Sequence, residues 1–306
     1  MLAALVLALL AGVGSWFAFG TGSGDDEVTA SSTAPRVPWL DPHGASPTVG
    51  SLDVNPADGS LWLATNTGLF RLPGGAKRPQ RIVGQLRTTL GSGEISQQLV
   101  IRFRGPDDIV GSGHPPPDSA LPPALGLIES TDAGHTWIGV SDVGYADFHA
   151  IQLADDTLVA AIYGQAAINV SGDGGKTFEN RTPPLPVVDV AVDPDDPSRW
   201  IASTTEDLIA SSDGGRTWRP GEPTPNVRFA WPVSDVLYRI DPGGAVKLSS
   251  DGGRQWEDRG SIRGEPQAIV AETVDHLYVA LRDGTIKESR DGGRTWNDRL
   301  VPDSLE

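Results

Sequence analysis

The sequence predicts an all-β chain: a six-bladed β-propeller preceded by an N-terminal hydrophobic helix. Three observations predict it. An eight-residue signature, Ser-x-Asp-x-Gly-x-Thr-aromatic, recurs five times at intervals of about 40 residues, with Gln255 at the Thr position of the fourth copy. Glycine (37) and proline (25) make up about a fifth of the 306 residues, which suits many short strands joined by tight turns. Residues 2–19, LAALVLALLAGVGSWFAF, carry no charged side chain.

Taken in order, residues 1–20 read as a signal anchor or a signal peptide. The apolar run reaches the length a spanning helix needs, about 17–25 residues. It lacks the Lys/Arg flank and the clean small-residue cleavage site of a secretory signal, so an anchor is the preferred reading. Either way the rest of the chain is expected outside the cytoplasm, membrane-anchored, or secreted if the segment is cleaved. Residues 21–44, rich in Gly, Ser, Thr, Pro and Asp, read as a flexible linker. His43 falls in it and is expected to be inert.

Residues 45–303 carry the repeats. The signature spans Ser130–Trp137, Ser171–Phe178, Ser211–Trp218, Ser249–Trp256 and Ser289–Trp296. Its aspartates are Asp132, Asp173, Asp213, Asp251 and Asp291, separated by 41, 40, 38 and 40 residues. Each box reads as a hairpin staple. The carboxylate accepts turn N–H groups, the glycines tolerate positive φ, and the aromatic (Trp137, Phe178, Trp218, Trp256, Trp296) wedges between neighbouring sheets. Box residues, His135 included, are therefore expected to be structural. Between boxes lie strand signals such as Val187–Val192, Trp200–Ser203 and Asp207–Ser211. Four strands in about 40 residues is a propeller blade. A first unit, with its box decayed to Pro73-Gly-Gly75, and a second from about Gln97 to Ile138 bring the count to six. The second holds a proline-rich insertion, His114–Pro123.

Charge and cysteine content narrow the function. With 24 Lys+Arg against 40 Asp+Glu, the net charge is −16. Nucleic-acid binding and docking on anionic lipid through a basic patch are excluded as expectations. The absence of cysteine removes disulfide scaffolds, Cys-ligated zinc and thiol nucleophiles.

The boxes resemble those of the Asp-box (BNR) repeat proteins, a superfamily of sialidases and other glycoside hydrolases, sortilin-type ectodomains and photosystem II assembly propellers. The stretches Val54–Gly59, Gly68–Arg71, Gly111–Pro115, Leu125–Asp132 and Ala146–Ala150 are similar to bacterial, secreted or membrane-anchored Asp-box proteins commonly labelled glycosyl hydrolases. That resemblance implies the fold, and the fold alone implies no reaction. Sialidase chemistry would require an arginine triad, a Tyr–Glu pair and an Asp acid/base. Phe70-Arg71-Leu72-Pro73 is similar to the family's opening motif, yet it falls on a third strand, away from the funnel. No Tyr–Glu pair is identifiable, so whether the chain is an enzyme stays open.

In a propeller, starts of innermost strands and ends of second strands share one face, opposite the boxes. Polar candidates at innermost-strand starts are Ser51, His149, Asp189, Arg228 and Gln267, with His149 placed as the equivalent of Asp189. Loops on that face offer His114, Glu206, Asp207, Arg282 and Asp283, and Trp231 is expected to join them. His114, Asp147 and His149 form the sharpest subset. Two histidines and a carboxylate suit a divalent metal, a sugar hydroxyl or plain channel packing. No metal and no cofactor is assigned from sequence. The expected function is a non-catalytic carbohydrate- or protein-binding module using the funnel, its partner a glycan or a cell-envelope protein. The alternatives are a glycoside hydrolase using Asp147, Asp189 or Glu206, and an assembly factor for a membrane complex.

Overall fold

The computed structural model describes residues 47–95, 99–116, 119–162 and 164–301. The expected N-terminal helix and linker lie outside the described residues. Among the described residues the strands form six sheets arranged as blades. The innermost strands are Val49–Val54, Leu99–Phe103, Phe148–Ala154, Val187–Asp193, Arg228–Val233 and Pro266–Ala271, for blades 1 to 6. Each neighbours the next, and the sixth returns to the first. Second strands read as almost unbroken apolar runs: every residue of Leu61–Thr65 and of Leu277–Leu281 is buried. A sheet covered on both faces by other blades requires that, whereas a half-exposed sheet would alternate.

Five of the six seams between blades have the same construction. The box aromatic of a blade packs into the apolar cluster it shares with the preceding blade. Trp137 lies with Trp62, Leu69 and Leu99 at the seam of blades 1 and 2. Phe178 packs on the blade 2/3 cluster, Trp218 on blades 3/4, Trp256 on blades 4/5 and Trp296 on blades 5/6. The seam between blades 6 and 1 has no box aromatic. Val49, Leu52 and Phe70 meet Ala268, Tyr278 and Ile286 there. Gln267 Oε1 accepts from the Val49 N–H at 2.8 Å, and Arg299 donates to the carbonyls of Ala76 and Pro73. Among the described residues the ring therefore closes on apolar packing and a few polar ties, with no strand exchanged between its ends.

The boxes repeat one hydrogen-bond pattern. The box serine donates to Asp Oδ1 at 2.7–2.9 Å and accepts from the N–H of the glycine two positions after the aspartate. Asp Oδ1 also accepts the N–H of the residue four positions on, and Oδ2 takes the threonine hydroxyl at 2.6–2.7 Å in four boxes. In the fourth box Gln255 replaces that threonine. Glycine is required where the turn meets the core: Gly215 has φ +76, and a Cβ there would lie 2.3 Å from the Trp200 ring.

Blade 2 departs from the sequence expectation. A hairpin, Gly84–Thr88 with Gly91–Ile95, adds to its outer edge and pairs parallel with Thr136–Ser141. The blade is six-stranded. GQLRT and GSGEI carry little β-branched content, so composition alone did not mark them as strands.

Candidate functional site

A cavity of about 530 Å³ occupies the channel, walled by residues of all six innermost strands. Its polar wall includes Arg102, His149, Asp189, Arg228, Glu265 and Gln267. Several of these side chains also tie one blade to the next. Ser51 Oγ accepts the Ile101 N–H at 3.0 Å, and Asp189 Oδ2 accepts the Phe229 N–H at 3.0 Å. Asp53 repeats this one step deeper, accepting from Phe103 N at 2.7 Å. Arg228 donates through Nε to the Gln267 carbonyl at 2.8 Å, and Arg102 donates to the carbonyls of Leu52 and Ile101. Burial pushes the Asp53 and Asp189 carboxyls above the ordinary range, opposed by the nearby guanidinium of Arg102 or Arg228.

The rim site lies where blades 2 and 3 meet. His114 follows the second strand of blade 2, Ile109–Gly113, and Asp147 precedes the innermost strand of blade 3. His114 Nε2 lies 2.8 Å and His149 Nε2 2.7 Å from the same oxygen, Asp147 Oδ2. The two rings meet edge to face with centroids 5.9 Å apart. Burial alone would raise the Asp147 carboxyl. The hydrogen bond and charge of His149, with those of His114, outweigh it and hold the carboxyl below the ordinary range. Asp147 Oδ1 is buried with no hydrogen-bond partner.

Backbone features hold the site. His149 sits on a β-bulge: Phe148 pairs with Ile162 and Ala150 with Ala161, skipping His149. Blade 4 skips Val188 between Val187 and Asp189 in the same way. The residue equivalent to Asp189 is therefore Ala150, which corrects the placement of His149 by one position. A bulge re-aims a side chain, and here it turns His149 toward Asp147. The proline-rich loop is fastened on the other side: Leu125 N donates to Gly113 O, Gly126 N to Ala146 O and Gly144 N to Ala124 O.

Other candidates land elsewhere. Gln267 lies on the cavity wall, where its side chain closes the ring. Glu206 is exposed and absent from the wall. Asp207 accepts from the Thr204 hydroxyl and Asp283 from Thr285 N. Arg282 is on the wall, paired with Glu265 at 2.6 Å. Trp231 belongs to the opposite, box-bearing side, against Arg199 and Gly252, because its strand has crossed the molecule by that point. Arg71 pairs with Asp58 on blade 1. Two residues went unread in the sequence, Arg102 and His276. Arg102 was legible from the alternation Val100-Ile101-Arg102, which turns Ile101 to the core and Arg102 to the channel. His276 is held between Glu272 at 2.6 Å and Glu288 at 2.7 Å on blade 6.

The fold has solved counterparts. The Pan2 WD40 domain of Neurospora crassa aligns with a TM-score of 0.54 at 10% identity, covering 85% of this chain and 80% of that one. YCF48 from Cyanidioschyzon merolae gives 0.52 at 15% identity, covering 85% and 86%. An ancestral GH74 enzyme gives 0.52 at 13% identity, covering 83% of this chain and 37% of the enzyme. At these identities the likeness is one of fold alone. No protein-family model and no curated protein sequence matches this chain.

Proposed function

We propose that the chain is a non-catalytic, sialidase-like binding propeller whose central channel recognises a carbohydrate of the cell envelope. One observation carries the reading: the cavity wall is polar and carries both signs of charge. Arg102, Arg228 and Arg282 line it with Asp189 and Glu265, and Arg282 pairs with Glu265. The Arg102 and Arg228 guanidinium groups are anchored by carbonyls and so present their remaining N–H groups from fixed positions. Fixed donors beside acceptors suit sugar hydroxyls, and the cavity volume falls within the range of small-ligand sites.

A glycosidase needs two available carboxyl groups. Asp189 has both oxygens engaged by backbone N–H groups, those of Val190 and Phe229. One feature favours a hydrolase nonetheless: burial raises the Asp189 carboxyl, as a general acid requires. In the proposed reading residues 1–20 anchor the propeller on the outer side of the membrane, as their sequence suggests.

The test is a glycan array probed with the full-length chain in EDTA, alongside a sugar-release assay on every glycan retained. Retention without release, weakened at least about tenfold by Arg102→Ala, supports the binding module. Release abolished by Asp189→Asn would establish the hydrolase instead. Retention of envelope proteins but of no glycan would replace the carbohydrate with a protein partner. Recovery of the chain as a soluble cytoplasmic protein on fractionation would overturn the anchor.

A further inference from the structure

We propose that His114, Asp147 and His149 form a binding site for a divalent transition ion of the zinc type, with an open coordination position facing the channel mouth. The inference does not depend on what the channel binds.

Outer support is the first reason. His114 Nδ1 lies 2.8 Å from the carbonyl oxygen of Pro123, which can only accept, so Nδ1 is the donor there. That leaves Nε2 as the ring nitrogen directed at Asp147 Oδ2, 2.8 Å away. A carbonyl behind the far ring nitrogen is the usual outer support of a metal-bound histidine.

Geometry is the second reason. One ligand atom from each of the three residues lies within 4.8 Å of the others. Zinc holds nitrogen and oxygen ligands at about 2.0–2.2 Å, which sets tetrahedral neighbours about 3.3–3.5 Å apart. The observed 2.7 and 2.8 Å need open by about 0.5–0.8 Å, within reach of side-chain rotation at this half-exposed rim. The buried, unpartnered Asp147 Oδ1 supplies a second carboxylate oxygen.

Ligand type is the third. Two imidazoles and one carboxylate suit zinc and its neighbours, whereas calcium and magnesium prefer all-oxygen sets. Three protein ligands leave a fourth position, and His149 is itself on the cavity wall, so that position opens where a channel ligand would arrive.

The test is calorimetric titration of the full-length, EDTA-stripped chain with ZnCl2, then with CaCl2 and MgCl2. One equivalent of zinc should bind with micromolar or tighter affinity, against no measurable calcium or magnesium. His114→Ala, His149→Ala and Asp147→Asn should each weaken zinc at least about tenfold, while His135→Ala, in a box turn, should not. Co²⁺ should give the strong visible absorption of a low-coordinate site, absent in His149→Ala. Each metal-free variant should still melt in one cooperative transition, so lost binding is not lost folding. Absence of stoichiometric zinc, equal calcium binding, or zinc binding undiminished in the three variants would overturn the site. Sugar retention in EDTA reads the channel separately, so failure of either reading leaves the other standing.

Discussion

Aspartates occupy two kinds of place in this propeller. On the box face each box aspartate is enclosed by its own turn: serine, backbone N–H groups and, in four of the five boxes, a threonine hydroxyl from within seven residues satisfy it. Asp213 and Asp291 are held down to about 2 by the threonine hydroxyl and backbone N–H groups first and the box serine after them. On the channel face three carboxylates also reach beyond their own turn. Asp53 and Asp189 reach to the next blade, and Asp147 meets two histidines, one of them from the preceding blade. The difference separates carboxylates consumed by the fold from one with coordination capacity left over.

The largest effect should come from the wedge beside a box. Trp137 is 1% exposed and donates to the Gly134 carbonyl at 2.8 Å. Trp137→Ala should cost about 3–5 kcal/mol in denaturant unfolding. A loss under 1 kcal/mol would mean that the seam does not depend on its box aromatic.

Acid should separate the two faces next. The folded values of Asp213 and Asp291, about 2, lie below the ordinary 3.8, so between them the unfolded chain binds more protons. Their stabilisation is complete above about pH 5 and is lost as pH falls toward 2. Asp53 and Asp189 are raised and carry the opposite sign: their stabilisation is present at low pH and declines as pH rises through their folded values. Denaturant titrations should show a steep acid limb that Asp213→Asn with Asp291→Asn flattens. An unchanged limb would contradict the box assignment.

How much of this the sequence disclosed follows from range. The boxes are local, eight residues wide and repeated, so they were legible, and with them the blade count and the face on which His114 and His149 meet. The outer hairpin of blade 2 was not, because its strands form through pairing with Thr136–Ser141 some 50 residues on. The bulge at His149 was not either, since it is defined by the partner strand and leaves no mark in residues 147–150. Gln267, a polar funnel candidate in the sequence, lies on the cavity wall and also ties the two ends of the ring, a contact spanning 218 residues that sequence does not disclose.

A smaller effect tests whether box carboxylates gain from each donor. The fourth box lacks the threonine hydroxyl, so Asp251 makes one bond fewer than Asp213. Gln255→Thr should raise stability by at most about 0.5 kcal/mol, because the bond forms in solvent. A loss of stability would show that Gln255 has a role the other boxes lack.

The most direct measurement compares two aspartates in one experiment, thermal melting with and without ZnCl2. Asp213→Asn should lower the metal-free melting temperature and keep the zinc-induced rise. Asp147→Asn should lower the metal-free melting temperature less than Asp213→Asn does and abolish the rise. If both variants lose stability equally and neither changes the response to zinc, the two faces do not divide fold from binding, and the account fails.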